Sequence, residues 1–176
     1  MSTSPTIQQA LLRARETFQR RPASALHADV HAVARWQGGL GMQLQHPEGM
    51  TYRTGMPESL GGDGAAPSPG WFFRAGVASC TATRIAMEAQ MRGIQLSRLE
   101  VEAHSESDSR GMLGDPDVPA GPLRFWLQVT IEAPGTPEAQ LRELVAASDA
   151  HSPMASCLRQ PPRIHLELRL PDTAAA

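Results

Sequence analysis

The stretch "SPGWFFRAGVASCTATRIAMEAQMRG", residues 68–93, constrains the fold more than any other part of the chain. Ser68-Pro69 marks a helix start, because a serine hydroxyl accepts from the free backbone N–H groups of the first turn and proline suits the first helical position. Gly93, directly after Arg92, is the matching C-terminal stop. Between them Ala75, Gly76, Ala78, Ser79 and Ala82 carry so little side chain that another backbone can come close. The spacing therefore predicts one long helix buried between layers. Cys80, one of only two cysteines in the chain, sits in its middle.

The remaining elements follow from periodicity. Ile7, Leu11, Ala14 and Phe18 form one apolar stripe of a helix over residues 6–20, which Arg20, Arg21 and Pro22 end. Short runs around Val30, Val33 and Trp36, then Met42 and Leu44, then Tyr52, are split by Gly38-Gly39 and Pro47-Glu48-Gly49. They read as two or three short antiparallel strands. Residues 55–70 are dense in Gly and Pro and read as loop. Leu99, Val101 and Ala103 alternate with polar residues; so do Leu123 to Ile131, and Ile164, Leu166, Leu168 and Leu170. Each is the pattern of a half-buried strand. The excursion "SESDSRGMLGDPDVPAGP" reads as a mobile loop. Thr136-Pro137-Glu138 is expected to cap a helix with Leu141, Leu144 and Val145 inward, and Ser152-Pro153 to start a short helix containing Cys157. Antiparallel strands interrupted by helices indicate an α+β fold and not a doubly wound sheet. The expected division is a helical extension over residues 1–22 and one domain over residues 23–176.

Charge and residue types narrow the chemistry. A net charge of -2 argues against nucleic acid as a partner. All 16 basic residues are arginines, which excludes lysine Schiff bases, lysine general bases and the P-loop lysine. No run approaches the roughly 18 to 20 apolar residues of a membrane span, and the N-terminus lacks the apolar core of a secretion signal. The expectation is a cytoplasmic protein with no membrane partner, in which thiols stay reduced. His27 and His31 are four apart but lie in an extended segment with no further ligand types nearby, so no metal site is expected. Neither a G-x-G-x-x-G after a strand nor a G-x-S-x-G is present, and no cofactor is expected. The thiols are the most distinctive groups left. On residue type alone Cys80 reads first as a small hydrophobe among alanines on a buried helix.

The segments "PESLGGDGAAPSPGWFFRAGVASCTATRIAMEAQMRGIQLSRLEVEA" and "AHSPMASCLRQPPRIHLELRL" resemble the OsmC family, which includes the organic hydroperoxide resistance proteins. Members carry a Gly-rich loop, a Ser/Asn-Pro helix start, a cysteine eleven residues after that proline, and a Gly-Ile or Gly-Leu break into a strand. Pro69 and Cys80 keep this spacing, and the likeness spans residues 30–170. The resemblance implies an intertwined homodimer, with curved antiparallel sheets wrapped around central helices and active-site pockets at the subunit interface. The N-terminal helix would lie outside this common core. It also implies thiol-dependent reduction of organic hydroperoxides in oxidative-stress defence. A thiolate attacks the O–O bond and becomes a sulfenic acid, a second thiol condenses with it, and an external reductant opens the disulfide. An arginine near the sulfur and a glutamate that orients it complete the family site.

Mapped residue by residue, Cys80 matches the nucleophile. Ser152 holds the place of the second cysteine; its hydroxyl suits a helix cap but cannot form a disulfide. Cys157 lies five residues on, and at about 100° per residue it points away from the direction of position 152. The glutamate's positions hold Gly70 and Trp71. Arg35 and Arg53 lie in the strand region that usually supplies the arginine. Arg84, one turn after Cys80, could face the thiol or pair with Glu88. His151 is a candidate base for Cys80. Three readings stay open: a one-cysteine hydroperoxide reductase that uses an external thiol reductant, a non-catalytic relative that binds an apolar or acyl molecule in the interface pocket, and a structural or interaction role.

Overall fold

The computed structural model describes residues 6–170. Helix α1 (Ile7–Arg20) opens with a capping box, in which Gln9 N–H donates to Thr6 Oγ1 at 3.2 Å and Thr6 N–H to Gln9 Oε1 at 3.1 Å. Strands β1 (Val33–Trp36), β2 (Met42–Gln45) and β3 (Thr51–Thr54) form an antiparallel three-stranded meander. Val30 falls outside β1. Helix α2 (Pro69–Arg92) follows the Gly/Pro-rich loop and starts as the sequence demands: Ser68 Oγ accepts from Trp71 N–H at 3.2 Å. It stops at Gly93, whose φ of 71° is the left-handed conformation that favours glycine.

Strands β4 (Arg98–Glu106) and β5 (Arg124–Glu132) pair antiparallel with Leu99 opposite Ile131 and Val101 opposite Val129. Their apolar face covers α2. Helices α4 (Glu138–Ala150) and α5 (Pro153–Arg159) pack against α2 as well. The core forms where these meet: Ile85, Ala89, Ile94, Ala133 and Leu144, with Leu99, Val101, Val129, Ile131, Leu141 and Val145 around them. The inner stripe of α2 is Val77, Thr81, Ile85 and Ala89, spaced by four.

Four sequence expectations need correction. Residues 164–170 form no strand: Ile164, Leu166, Leu168 and Leu170 are between 76% and 94% exposed. An alternating segment buries its apolar face only when it is paired, and among the described residues no strand pairs with it. The excursion between β4 and β5 is not all loop, because Asp108 accepts from Arg110 N–H at 3.0 Å and caps the one-turn helix α3 (Ser109–Met112). Thr136 does not cap α4; Pro137 is the N-cap residue and no side chain caps it. Finally, α2 is not enclosed all round: α1, β4, α4 and α5 pack against it, while Ser79, Thr83 and Met87 are exposed. Among the described residues no helix is long and apolar enough to cross a membrane.

Candidate active site

Cys80 lies midway along α2, partly buried, next to Thr81 on the inner stripe. The second half of the site comes from the α4–α5 junction. His151 N–H and Ser152 N–H donate to the carbonyls of Ser148 and Asp149, turning the chain sharply between the helices. Met154 then lies against α2 at Gly76, where an added Cβ would come within 3.0 Å of the Met154 methyl. A residue without a side chain lets α5 sit this close.

That seating buries Ser152 completely. Its Oγ donates to Cys80 Sγ at 3.6 Å and lies 3.2 Å from Thr81 Oγ1. The expected cap is therefore absent: Ser152 occupies the N-cap position of α5, yet its hydroxyl makes no cap hydrogen bond. It is turned inward to the sulfur. Thr81 was not singled out by the sequence reading. The available signal was its position, four residues after Val77 and four before Ile85, which places a hydroxyl on the apolar stripe next to the cysteine.

The other candidates are placed elsewhere. Cys157 is exposed on α5. His151 is exposed, with Nδ1 2.8 Å from the Ala147 carbonyl. Arg35, on β1, donates to the Gln45 side chain, and Arg53 stands exposed on β3 opposite Gln43. Within one chain none of these hydrogen bonds Cys80. Arg84 pairs with Glu88 at 2.7 Å, Glu88 also takes Arg92 at 2.8 Å, and Arg92 reaches Glu143 at 3.0 Å. The Arg92 hydrogen bond leads in holding the Glu88 carboxyl below its ordinary value of 4.5, against the desolvation that would raise it, and Arg84 adds to the effect. The same contact raises Arg92.

On the Thr81 side of the helix, a groove of about 1000 Å³ runs along the edge of β5, lined by Val77, Thr81, Leu141 and Val145 and also by the charged Glu138 and Arg142; neither Cys80 nor Ser152 lines it. Chemically the site offers a sulfur on a helix and a buried hydroxyl that can donate to it. A thiolate here would accept a hydrogen bond without a neighbouring sulfur to trap it.

No curated protein matches the chain. Among solved structures, it is similar to an OsmC-like protein from Mycoplasma pneumoniae (14% identity, TM-score 0.66, 77% of this chain and 91% of that one). It is also similar to an organic hydroperoxide resistance protein OsmC from Legionella pneumophila (21% identity, TM-score 0.57, 76% and 93%). The organic hydroperoxide resistance protein OhrB of Bacillus subtilis is a third (18% identity, TM-score 0.52, 76% and 93%). At these identities the likeness shows a shared fold. The sequence model of the family described as OsmC-like protein matches residues 61–167, which takes in α2, β4, β5, α4, α5 and both halves of the site. With well over half of its residues inside that match, the chain belongs to the OsmC-like family.

Proposed function

We propose that the protein is a one-cysteine organic hydroperoxide reductase, with Cys80 as nucleophile and an external thiol as reductant. The observation that carries this reading is the 3.6 Å contact between Ser152 Oγ and Cys80 Sγ. The two positions that hold the family's cysteine pair meet in space, and the second offers a hydrogen-bond donor in place of a resolving sulfur. The Cys80 thiolate attacks the distal peroxide oxygen; an S–O bond forms, the O–O bond breaks, and the departing alkoxide takes a proton to leave as alcohol. A small thiol then displaces water from the sulfenic acid to give a mixed disulfide. A second thiol releases Cys80 and carries off the disulfide.

The working unit is a homodimer. In one chain the solvent-facing side of α2, the exposed Trp36 and Tyr52 of the meander, and the unpaired apolar residues 164–170 all lack cover. A second copy supplies it, with Arg35 or Arg53 of that copy as the cation for Cys80. The cytoplasm, where small thiols are abundant and reduced, suits this chemistry. The acyl-binding alternative has the apolar groove on its side. Turnover separates the two. Cumene hydroperoxide consumption with a monothiol reductant should be lost in Cys80→Ser and retained in Cys157→Ser; turnover that survives Cys80→Ser removes the reductase reading.

A further inference from the structure

Ser152 and Thr81 are buried hydroxyls, 0% and 1% exposed, on different elements, and they form a continuous line to a sulfur. Nothing in cap chemistry or core packing requires this. Serine at an N-cap ordinarily uses its hydroxyl on the helix, and a hydroxyl on an apolar helix stripe carries a desolvation cost unless it is partnered. Here the two hydroxyls partner each other, and Ser152 alone also meets Cys80.

Counting hydrogens gives the line a direction. A hydroxyl has one hydrogen and two lone pairs. A thiol can donate to Ser152, which leaves the serine hydrogen for Thr81. A thiolate has lone pairs only, so the one Ser152 hydrogen must turn to Sγ. The 3.2 Å contact between Ser152 and Thr81 is then satisfied only if Thr81 donates. A sulfenate in place of the thiolate makes the same demand.

We propose that Thr81 and Ser152 form a directed hydrogen-bond relay, Thr81 to Ser152 to Cys80, that stabilises the anionic sulfur. Ser152 touches the reacting atom and acts as a catalytic residue. Thr81 acts through Ser152 and is a positioning residue. The inference rests on Cys80 as the nucleophile of the proposed reductase and assigns Ser152 a role other than resolution. Ionisation of the sulfur fixes the direction of both hydroxyls together, and because both are buried, water does not take over either bond. Of the ionisable groups on the packed helices, Arg84 of α2 pairs with Glu88 through Nη2 while its buried Nη1 has no partner among the described residues, Arg74 of α2 donates to Ser105, His151 at the end of α4 meets the Ala147 carbonyl, and Arg159 of α5 pairs with Asp149.

The test is the rate of Cys80 alkylation by iodoacetamide in a Cys157→Ser background, at about pH 7 and about pH 10, the second well above the ~8.5 of an ordinary thiol. At pH 7, Ser152→Ala should slow labelling about tenfold, the effect of losing a hydrogen bond to a charged group. Thr81→Val should slow it about threefold and Thr81→Ser should restore it. The double variant Thr81→Val/Ser152→Ala should be no slower than Ser152→Ala alone. At pH 10 the variants should converge on the parent rate. Multiplying effects in the double variant, a Thr81→Val rate equal to the parent, or failure of Thr81→Ser to restore it would each overturn the relay. Because alkylation needs no peroxide, the relay and the reductase reading can fail separately: labelling as described without peroxide turnover sinks only the reductase.

Discussion

A serine before a proline at a helix start reads as a cap from sequence, and at residue 68 the hydroxyl does cap. At residue 152 the same dipeptide starts a helix, but the hydroxyl is turned to Cys80 and Thr81. The difference is tertiary: Ser68 is at the surface side of its helix, whereas Ser152 is carried under α2 by the seating of Met154 on Gly76. Local propensity cannot report that, so the helix start was legible while the use of the serine oxygen was not. Cys157 was legible for the opposite reason, because five helical steps from a buried residue lead to solvent. The contact between positions 80 and 152 makes a direct prediction. Ser152→Cys should form an intramolecular disulfide with Cys80 when one equivalent of hydroperoxide is added. Intact mass under non-reducing conditions, with Cys157 replaced by serine, reads this as the loss of both thiols to alkylation. Two free thiols after oxidation would mean that the two positions do not meet in solution.

Among the elements, those with caps and period-matched stripes were the readable ones. Helices α1 and α2 and strands β4 and β5 fall where periodicity puts them, because each has its apolar partner within the chain. Residues 164–170 carry an equally clean alternation and form no strand. A period-two pattern states which face wants burial and says nothing of which chain provides it. The Arg84–Glu88–Arg92–Glu143 network ties α2 to α4 and has its own signature in acid. Glu88 sits below its ordinary 4.5 in the folded protein. Its contribution to stability is therefore present above that value and is lost as pH falls below it. Urea unfolding of the parent should lose stability between about pH 5 and about pH 3, and Glu88→Gln, which has no charge to lose, should lose less over the same interval. Equal pH dependence in the two proteins would show that the ion pair contributes nothing measurable.

For the molecule as a whole, one chain brings a thiol and two hydroxyls together on α2 and α5, while Arg35 and Arg53 stand on strands whose hydrogen bonds go elsewhere. The dimer proposed above accounts for this arrangement. Leu166→Glu with Leu168→Glu, which places charge on the face that pairing would bury, should shift the protein from dimer to monomer in sedimentation velocity and should lower peroxide turnover with it. A parent protein that sediments as a monomer at micromolar concentration would contradict the shared site. The central claim concerns Cys80 itself, and intact mass after a brief stoichiometric dose of cumene hydroperoxide, with dimedone present to trap sulfenic acid, tests it most directly. A single adduct mapped to Cys80, formed in the folded protein and absent from Cys80→Ser, is the predicted result. Unmodified thiols at both positions after the same exposure would contradict it and would leave Cys80 as a packing residue on α2.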